Sequence, residues 1–250
     1  MIFAAQFSGF LEHVEQDWPF PRHLTECTLV STQYQQSAVS STLYAQYNLP
    51  TPQAAEKRQA EFLAARLCAR EALRLQLKHA QFPSQKKNSR APVWPYGSCG
   101  SMSHSHPIAA AIVGSTKHWK NFGLDIEPPI SITRSQRLAK AILTTSEHKV
   151  FSTLSAEQAA HYLTLVFSFK ESLFKALNPL TDCYFGFHDA QVTTVDLAEQ
   201  GFACLKLNKN LSRNWQAGHE LEGQFTSIQG NTMTLVGIAK DFKDTISHAT

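Results

Sequence analysis

The sequence has 250 residues, a mass of 27.9 kDa, 43% hydrophobic residues and 17% charged residues, which excludes a disordered chain. Its 11 glycines and 11 prolines exclude collagen-like and low-complexity classes. The net charge is only +3, but nine bases and three acids lie between residues 54 and 90. This cationic segment predicts an anionic partner. Because it matches no nucleic-acid-binding module, nucleic acid is not the expected partner.

The chain carries no sign of export or membrane insertion. No apolar run reaches the roughly 18 residues that a membrane span needs. The first twenty residues contain Glu12, Glu15 and Asp17 but no Lys or Arg, which is the wrong polarity for a secretory signal. Five scattered cysteines without a C-x-x-C pair argue against a disulfide framework and a zinc knuckle. We therefore expect a cytoplasmic protein.

Thr51-Pro52 predicts the start of the first long helix, because Thr caps helices and Pro suits their first position. The next 25 or so residues are rich in helix formers. Residues 82–100 are rich in Pro, Ser, Asn and Gly and predict a loop. Residues 108–113 form a short apolar run that ends at Gly114 and predicts a buried strand.

The second half of the chain predicts a similar mixture of elements. Residues 122–127 alternate apolar and acidic side chains and predict a strand that ends at Pro128. Ser155 and Gln158 predict a capping box for a long helix. The remaining predictions are helices over residues 134–143, 147–154 and about 156–177, and strands over 190–195, 202–207, 221–228 and 232–239. The fold class is therefore α/β (α+β).

Asp125 and Glu127 are the first candidate site. Residues two apart in a strand point to the same face, so these carboxylates project side by side and repel each other. A divalent cation would relieve the repulsion, and oxygen ligands suit Mg²⁺. The alternative is an exposed acidic strand edge.

Glu171 and Lys175 are the second candidate pair. They lie four residues apart on the predicted long helix and so share a face. The alternative is an ordinary helix ion pair worth about 0.3–0.5 kcal/mol.

Residues 90–106 form the third candidate site. Gly97, Gly100, Ser103 and His104 predict a loop whose backbone and side-chain donors could surround a phosphate. His104 and His106 could instead bind a metal, although the absence of a nearby cysteine disfavours a soft-metal site. The role of His106 stays open.

Four stretches in this order resemble the 4′-phosphopantetheinyl transferases, in the larger bacterial class of enterobactin synthase component D and the surfactin-type enzymes. They are KRQAEFLAARLCAREAL (57–73), RAPVWPYGSCGSMSHS (90–105), GLDIEP (123–128) and FSFKESLFKAL (167–177). Ala65 departs from the pattern, because the family usually has glycine there.

The resemblance implies a Mg²⁺-dependent enzyme that transfers the 4′-phosphopantetheine of coenzyme A to a serine of an apo carrier protein and releases adenosine 3′,5′-bisphosphate. It also implies a pseudo-dimer of two similar α/β halves with the active site in the cleft between them. We place the halves at residues 1–116 and 117–250 and expect a monomer, since one chain then completes the site.

Residue by residue, the resemblance implies that Asp125, Glu127 and Glu171 bind Mg²⁺. Glu171 is the first choice for the general base and Glu127 the second, while Lys175 would bind the pyrophosphate. The residues implied for the coenzyme's phosphates and adenine are Ser103, His104 and Arg90, with Arg58 and Arg66 as weaker candidates.

The carrier partner stays open between acyl, peptidyl and aryl carrier proteins, with a siderophore synthetase or another nonribosomal peptide synthetase as the first expectation. Two other functions remain. One is a Mg²⁺-dependent phosphoanhydride hydrolase, and the other is a coenzyme A-binding protein without catalysis.

Overall fold

A computed structural model describes residues 9–85 and 91–242. The chain divides into two compact units. The first unit contains the residues up to Trp18 together with Thr25–Ser115, and the second contains Pro19–Leu24 together with the residues from Thr116 onward. Within the described ranges, no helix combines the length and apolar character needed to cross a membrane.

The first unit is an antiparallel sheet covered by one long helix. Its sheet has the order β1-β2-β6-β5, and its helix α2 packs on β2, β5 and β6. Small buried residues such as Ala64, Cys68 and Ala72 on α2 allow the helix to lie close to the sheet. The elements are β1 (Leu11–Glu15), β2 (Cys27–Tyr34), α1 (Ser41–Gln46), α2 (Glu56–Leu77), β3 (Ser84–Gln85), β4 (Pro92–Val93), β5 (Ser98–Ser105) and β6 (Ile108–Ser115).

The second unit is a five-stranded antiparallel sheet with the order β7-β11-β10-β9-β8. The long helix α5 packs on β7 and β11, and its apolar side chains form a core with the sheet and with α3. The elements are β7 (Trp119–Glu127), α3 (Ile132–Ile142), α4 (Thr145–Phe151), α5 (Ala156–Thr181), β8 (Ala190–Val195), β9 (Gly201–Leu207), β10 (Glu220–Ile228) and β11 (Asn231–Ala239).

Gly123 sets how closely α5 can approach β7. A Cβ atom at this position would lie 1.7 Å from the backbone oxygen of Ser172. The side-chain amide of Asn121, two residues earlier on the same strand face, donates to the carbonyls of Lys175 at 3.2 Å and Ala176 at 2.9 Å. Strand and helix are therefore in backbone contact at the point where both carry candidate site residues.

Most predicted elements of the second unit are confirmed to within a few residues. The capping box of α5 is present, with Ser155 accepting from the Gln158 N–H and Gln158 accepting from the Ser155 N–H. The strand predicted over residues 122–127 extends back to Trp119. In the first unit, the strand predicted over residues 108–113 is also confirmed as β6.

Two predictions in the first unit are wrong. The long helix begins at Glu56 and not at Thr51-Pro52, because the Gln59 side chain turns back to bind the carbonyls of Pro52 and Ala54 and holds that segment outside the helix. The loop predicted through Gly100 and on to His104 is also wrong in its second part, since Ser98–Ser105 is strand β5, paired along its length with β6.

Candidate functional site

Strand β7 and helix α5 bring the three predicted acids close enough for their charges to interact. We call Asp125, Glu127, Glu171 and Lys175 the acid cluster. Asp125 is buried, with 3% of its surface exposed, while Glu127 and Glu171 are half-buried. The two strand residues share the face that packs on α5, as the alternation of the strand predicts.

Asp125 is held at both carboxylate oxygens. Its Oδ1 accepts a hydrogen bond from Lys175 Nζ at 2.7 Å, and its Oδ2 accepts one from the Ser168 hydroxyl at 2.9 Å. Lys175 Nζ also donates to the carbonyl of Leu124 at 3.0 Å. The lysine thus forms an ion pair with the strand acid and links α5 to β7. Charge-assisted bonds of this kind are about twice as strong as neutral ones.

The electrostatics of the acid cluster are dominated by burial and by repulsion between carboxylates. Burial, followed by the charges of Asp125 and Glu171, raises the pKa of Glu127 to about 7, against the opposing effects of Lys175 and Arg134. Burial and Asp125 likewise raise the pKa of Glu171, opposed by Lys175. Glu127 and Glu171 therefore both respond to the charge of Asp125, as groups that share a site do.

The donor chemistry of the acid cluster fits a hard divalent cation. It offers carboxylate oxygens and an excess of negative charge, and Mg²⁺ usually takes one or two protein carboxylates together with substrate phosphates. Among the residues that the structure describes, however, no group of three or more His, Cys, Asp and Glu side chains is arranged so that it could hold a metal ion. A Mg²⁺ ion shared by Asp125, Glu127 and Glu171 stays a prediction.

Helix α2 and strand β5 form a second group, which we call the His104 cluster: Arg58, Glu61, His104 and Tyr34. Arg58 Nη1 lies 2.8 Å from His104 Nε2 and 3.3 Å from Glu61 Oε2. The same Glu61 oxygen lies 3.7 Å from His104 Nδ1. The buried Tyr34 completes the group from β2, and both Glu61 and Arg58 affect the pKa of its hydroxyl. Two predicted phosphate ligands, Arg58 and His104, are therefore in direct contact.

The other predicted cofactor residues differ in exposure. Arg66 is 6% exposed, donates from Nη1 to the carbonyl of Pro83 and stacks on the Phe62 ring at 4.3 Å from its centroid. Its Nε has no hydrogen-bond partner among the described residues. Ser103 is buried in β5, next to His104. Arg90 lies outside the described residues.

Glu61, Tyr34 and Ser168 were not predicted. Glu61 has a sequence signal, because it stands three residues after Arg58 on a helix and so shares its face. Ser168 has a similar one, because it lies one turn before Glu171 on α5. Tyr34 lies in a strand that precedes every predicted element, and no sequence pattern links it to the site.

Comparison with known proteins assigns both clusters to one family. A model of the 4′-phosphopantetheinyl transferase N-terminal domain matches residues 47–114, which include the described members of the His104 cluster on α2 and β5. A model of the 4′-phosphopantetheinyl transferase superfamily matches residues 121–234, which include the acid cluster.

Individual relatives agree with the family models. The 4′-phosphopantetheinyl transferase Npt of Nocardia iowensis is 33% identical over 138 residues, which cover 55% of this chain and 60% of that protein. The transferase PptT of Mycobacterium tuberculosis is 34% identical over 137 residues, covering 55% of this chain and 59% of that protein. The chain thus spans less than two thirds of the length of these two relatives.

Enterobactin synthase component D of Escherichia coli K12 is matched over more of its length. It is 34% identical over 163 residues, which cover 65% of this chain and 74% of that protein. The chain therefore belongs to the 4′-phosphopantetheinyl transferase superfamily.

Proposed function

We propose that this chain transfers the 4′-phosphopantetheine of coenzyme A to a serine of an apo carrier protein and releases adenosine 3′,5′-bisphosphate. The observation that carries the proposal is the acid cluster. Its three carboxylates and Lys175 interact electrostatically, and all four residues lie within the range 121–234 that the family model matches. Such a cluster suits a reaction at a pyrophosphate, where negative charge must be neutralised and a proton removed.

Asp125, Glu127 and Glu171 are the residues that would hold Mg²⁺. The ion would supply charge neutralisation at the pyrophosphate of coenzyme A. Burial and then the charges of Asp125 and Glu171 raise the pKa of Glu127, and the repulsion between carboxylates supports this assignment because a nearby cation would offset it. Lys175 already provides one positive charge beside Asp125.

In the proposed reaction, the serine oxygen of the carrier bonds to the phosphorus that bears pantetheine. The anhydride bond to the other phosphate breaks, and adenosine 3′,5′-bisphosphate leaves. Glu171 accepts the serine proton, with Glu127 as second choice. Burial is the largest cause of the raised pKa of both carboxylates, and this contribution favours their action as bases even where a cation offsets the repulsion between them. Lys175 binds a pyrophosphate oxygen and stabilises charge on the leaving phosphate.

The His104 cluster is proposed to bind the coenzyme's phosphates. Arg58 and His104 support this by their contact, which places the guanidinium of α2 beside the imidazole of β5. Ser103, Arg66 and Arg90 remain proposed ligands of the same phosphates or of the adenine. The active-site cleft between two halves, divided near residues 115–118, likewise stays a proposal.

The preferred carrier is proposed to be a peptidyl or aryl carrier of a siderophore synthetase. Relatives named enterobactin synthase component D support that choice. We also propose that the protein acts in the cytoplasm as a monomer. All five cysteines are free, which agrees with a reducing compartment, and one chain carries both clusters.

The test combines purified protein, coenzyme A, Mg²⁺ and a panel of apo carriers, read by intact mass of the carrier. We expect the wild type to modify at least one carrier and Glu171→Gln to lose transfer by at least 100-fold, the lower end for general base catalysis. Glu220→Gln, an exposed carboxylate on β10, is the matched control and should transfer normally.

Two outcomes would overturn the proposal. Hydrolysis of coenzyme A without carrier modification would identify a phosphoanhydride hydrolase, and binding without either reaction would identify a coenzyme A-binding protein. Transfer by Glu171→Gln at the wild-type rate would remove Glu171 from the mechanism. A circular dichroism spectrum of each variant shows whether a loss of transfer comes from unfolding.

A further inference from the structure

We propose that Glu61 is a positioning residue that fixes the protonation and orientation of His104 and keeps Arg58 beside it. The inference deepens the proposed function, on which it rests for the identity of the ligand. It concerns a carboxylate that lies among predicted phosphate ligands but, being an anion, would not bind a phosphate itself.

The contacts of Glu61 are directed at the two predicted ligands. Its Oε2 lies 3.3 Å from Arg58 Nη1 and 3.7 Å from His104 Nδ1. Within the part of the chain that the structure describes, these are its two ion-pair contacts. The Glu61 side chain is 13% exposed, whereas that of Arg58 is 49% exposed. Water therefore competes weakly for the carboxylate, while the guanidinium remains accessible to a ligand.

The contact between Arg58 and His104 determines where the neutral imidazole carries its proton. A guanidinium has donors only, so Arg58 Nη1 must donate across the 2.8 Å to His104 Nε2. The Nε2 atom is then the acceptor, and the single ring proton of the neutral histidine lies on Nδ1. That nitrogen faces Glu61, so the carboxylate favours the same tautomer.

Tyr34 lies near the same arrangement on a third element. Its ring is buried, it contacts the His106 ring edge-on at 5.4 Å, and its hydroxyl has no hydrogen-bond partner among the described residues. Burial and the charge of Glu61 raise the pKa of this hydroxyl, with Arg58 opposing, so the phenol stays protonated. The charged and titratable groups around Glu61 are thus Arg58 on its own helix, His104 on β5 and Tyr34 on β2.

A fixed imidazole matters for anion binding because its Nε2 accepts from Arg58, and a ligand gains most from guanidinium donors that are already oriented. The ring of a histidine can rotate by half a turn and exchange its two nitrogens, and a nearby carboxylate makes one orientation preferable. Glu61 would therefore reduce the cost of ordering His104 and Arg58 when coenzyme A binds. The effect of Glu61 on coenzyme A affinity should therefore depend on the presence of His104.

The experiment uses the full chain and two readouts. Nitrogen-15 spectra of the histidine rings, with the His104 signals assigned by their loss in His104→Gln, report the tautomer without any ligand. Calorimetric titration with coenzyme A reports affinity for the wild type, Glu61→Gln, His104→Gln and the double variant. Glu56→Gln, on the same helix and exposed, is the matched control for loss of one negative charge.

We expect the Nδ1–H tautomer in the wild type and in Glu56→Gln. We expect a mixture of tautomers in Glu61→Gln, because loss of the carboxylate weakens the acceptor that faces Nδ1 and also releases Arg58 from its place beside Nε2. We expect Glu61→Gln to weaken coenzyme A binding about tenfold in the wild-type background and less than twofold in the His104→Gln background, a coupling that only a shared pathway produces. Equal losses in both backgrounds, or an unchanged tautomer, would overturn the inference. If the wild type does not bind coenzyme A at all, the proposed function fails, and the tautomer alone decides the role of Glu61.

Discussion

Replacing Glu127 by glutamine tests whether burial and the neighbouring carboxylates disfavour the ionised form of Glu127 in the folded protein. Burial and the charges of Asp125 and Glu171 raise the pKa of Glu127 from 4.5 to about 7. Between these values the folded protein binds more protons than the unfolded chain, so the stability falls as pH rises. The full penalty is reached above pH 7 and is absent below about pH 4.5.

The size of this penalty follows from the two pKa values. A change from 4.5 to about 7 corresponds to roughly 3 kcal/mol, which is an upper limit because Glu127 is only half-buried. Glu127→Gln removes the charge and keeps the shape, so it should gain stability relative to the wild type as pH rises. For a chain of this size, 3 kcal/mol corresponds to about 6–12 °C in melting temperature.

The assay is thermal melting with a chelator present, from pH 5 to pH 8. The difference in melting temperature between Glu127→Gln and the wild type should grow across this range, while Glu220→Gln should follow the wild type. Mg²⁺ added at pH 8 should stabilise the wild type more than Glu127→Gln, because cation binding stabilises ionised carboxylates. A difference in melting temperature between Glu127→Gln and the wild type that stays constant from pH 5 to pH 8 would refute the argument.

Two further predictions concern the packing that supports the clusters. Gly123→Ala should lower the free energy of unfolding, measured in urea, by about 3 kcal/mol or more, because the added Cβ would collide with the Ser172 carbonyl. The control Gly186→Ala should change stability little, because a Cβ at that position meets no other atom within 4 Å. Tyr34→Phe removes a buried hydroxyl that lacks a hydrogen-bond partner among the described residues, so it should raise the melting temperature by about 2–4 °C. A melting temperature below that of the wild type would mean that the hydroxyl is hydrogen-bonded.

The second unit was largely predictable because its signals are local. The capping box before α5, the alternation along β7 and the i, i+4 spacing of Glu171 and Lys175 each depend on a few neighbouring residues. The fold of β5 was not predictable in the same way. Its sequence, SCGSMSHS, has small polar residues that are typical of loops. It forms a strand because β6 supplies every pairing partner and Gly100 allows Ile112 and Trp94 to pack against its backbone.

The ion-pair partner of Lys175 could not be predicted from the sequence. Helical spacing made Glu171 the natural ion-pair partner of Lys175, yet the lysine bonds to Asp125 on another element. The reason is the close approach at Gly123, which brings the strand carboxylate within 2.7 Å of the ammonium group. A buried carboxylate also gains more from a cation than a half-buried one does, because water screens it less. Burial and the charge of Asp125 still raise the pKa values of Glu127 and Glu171, although Lys175 opposes both shifts, and a divalent cation would offset the repulsion that remains.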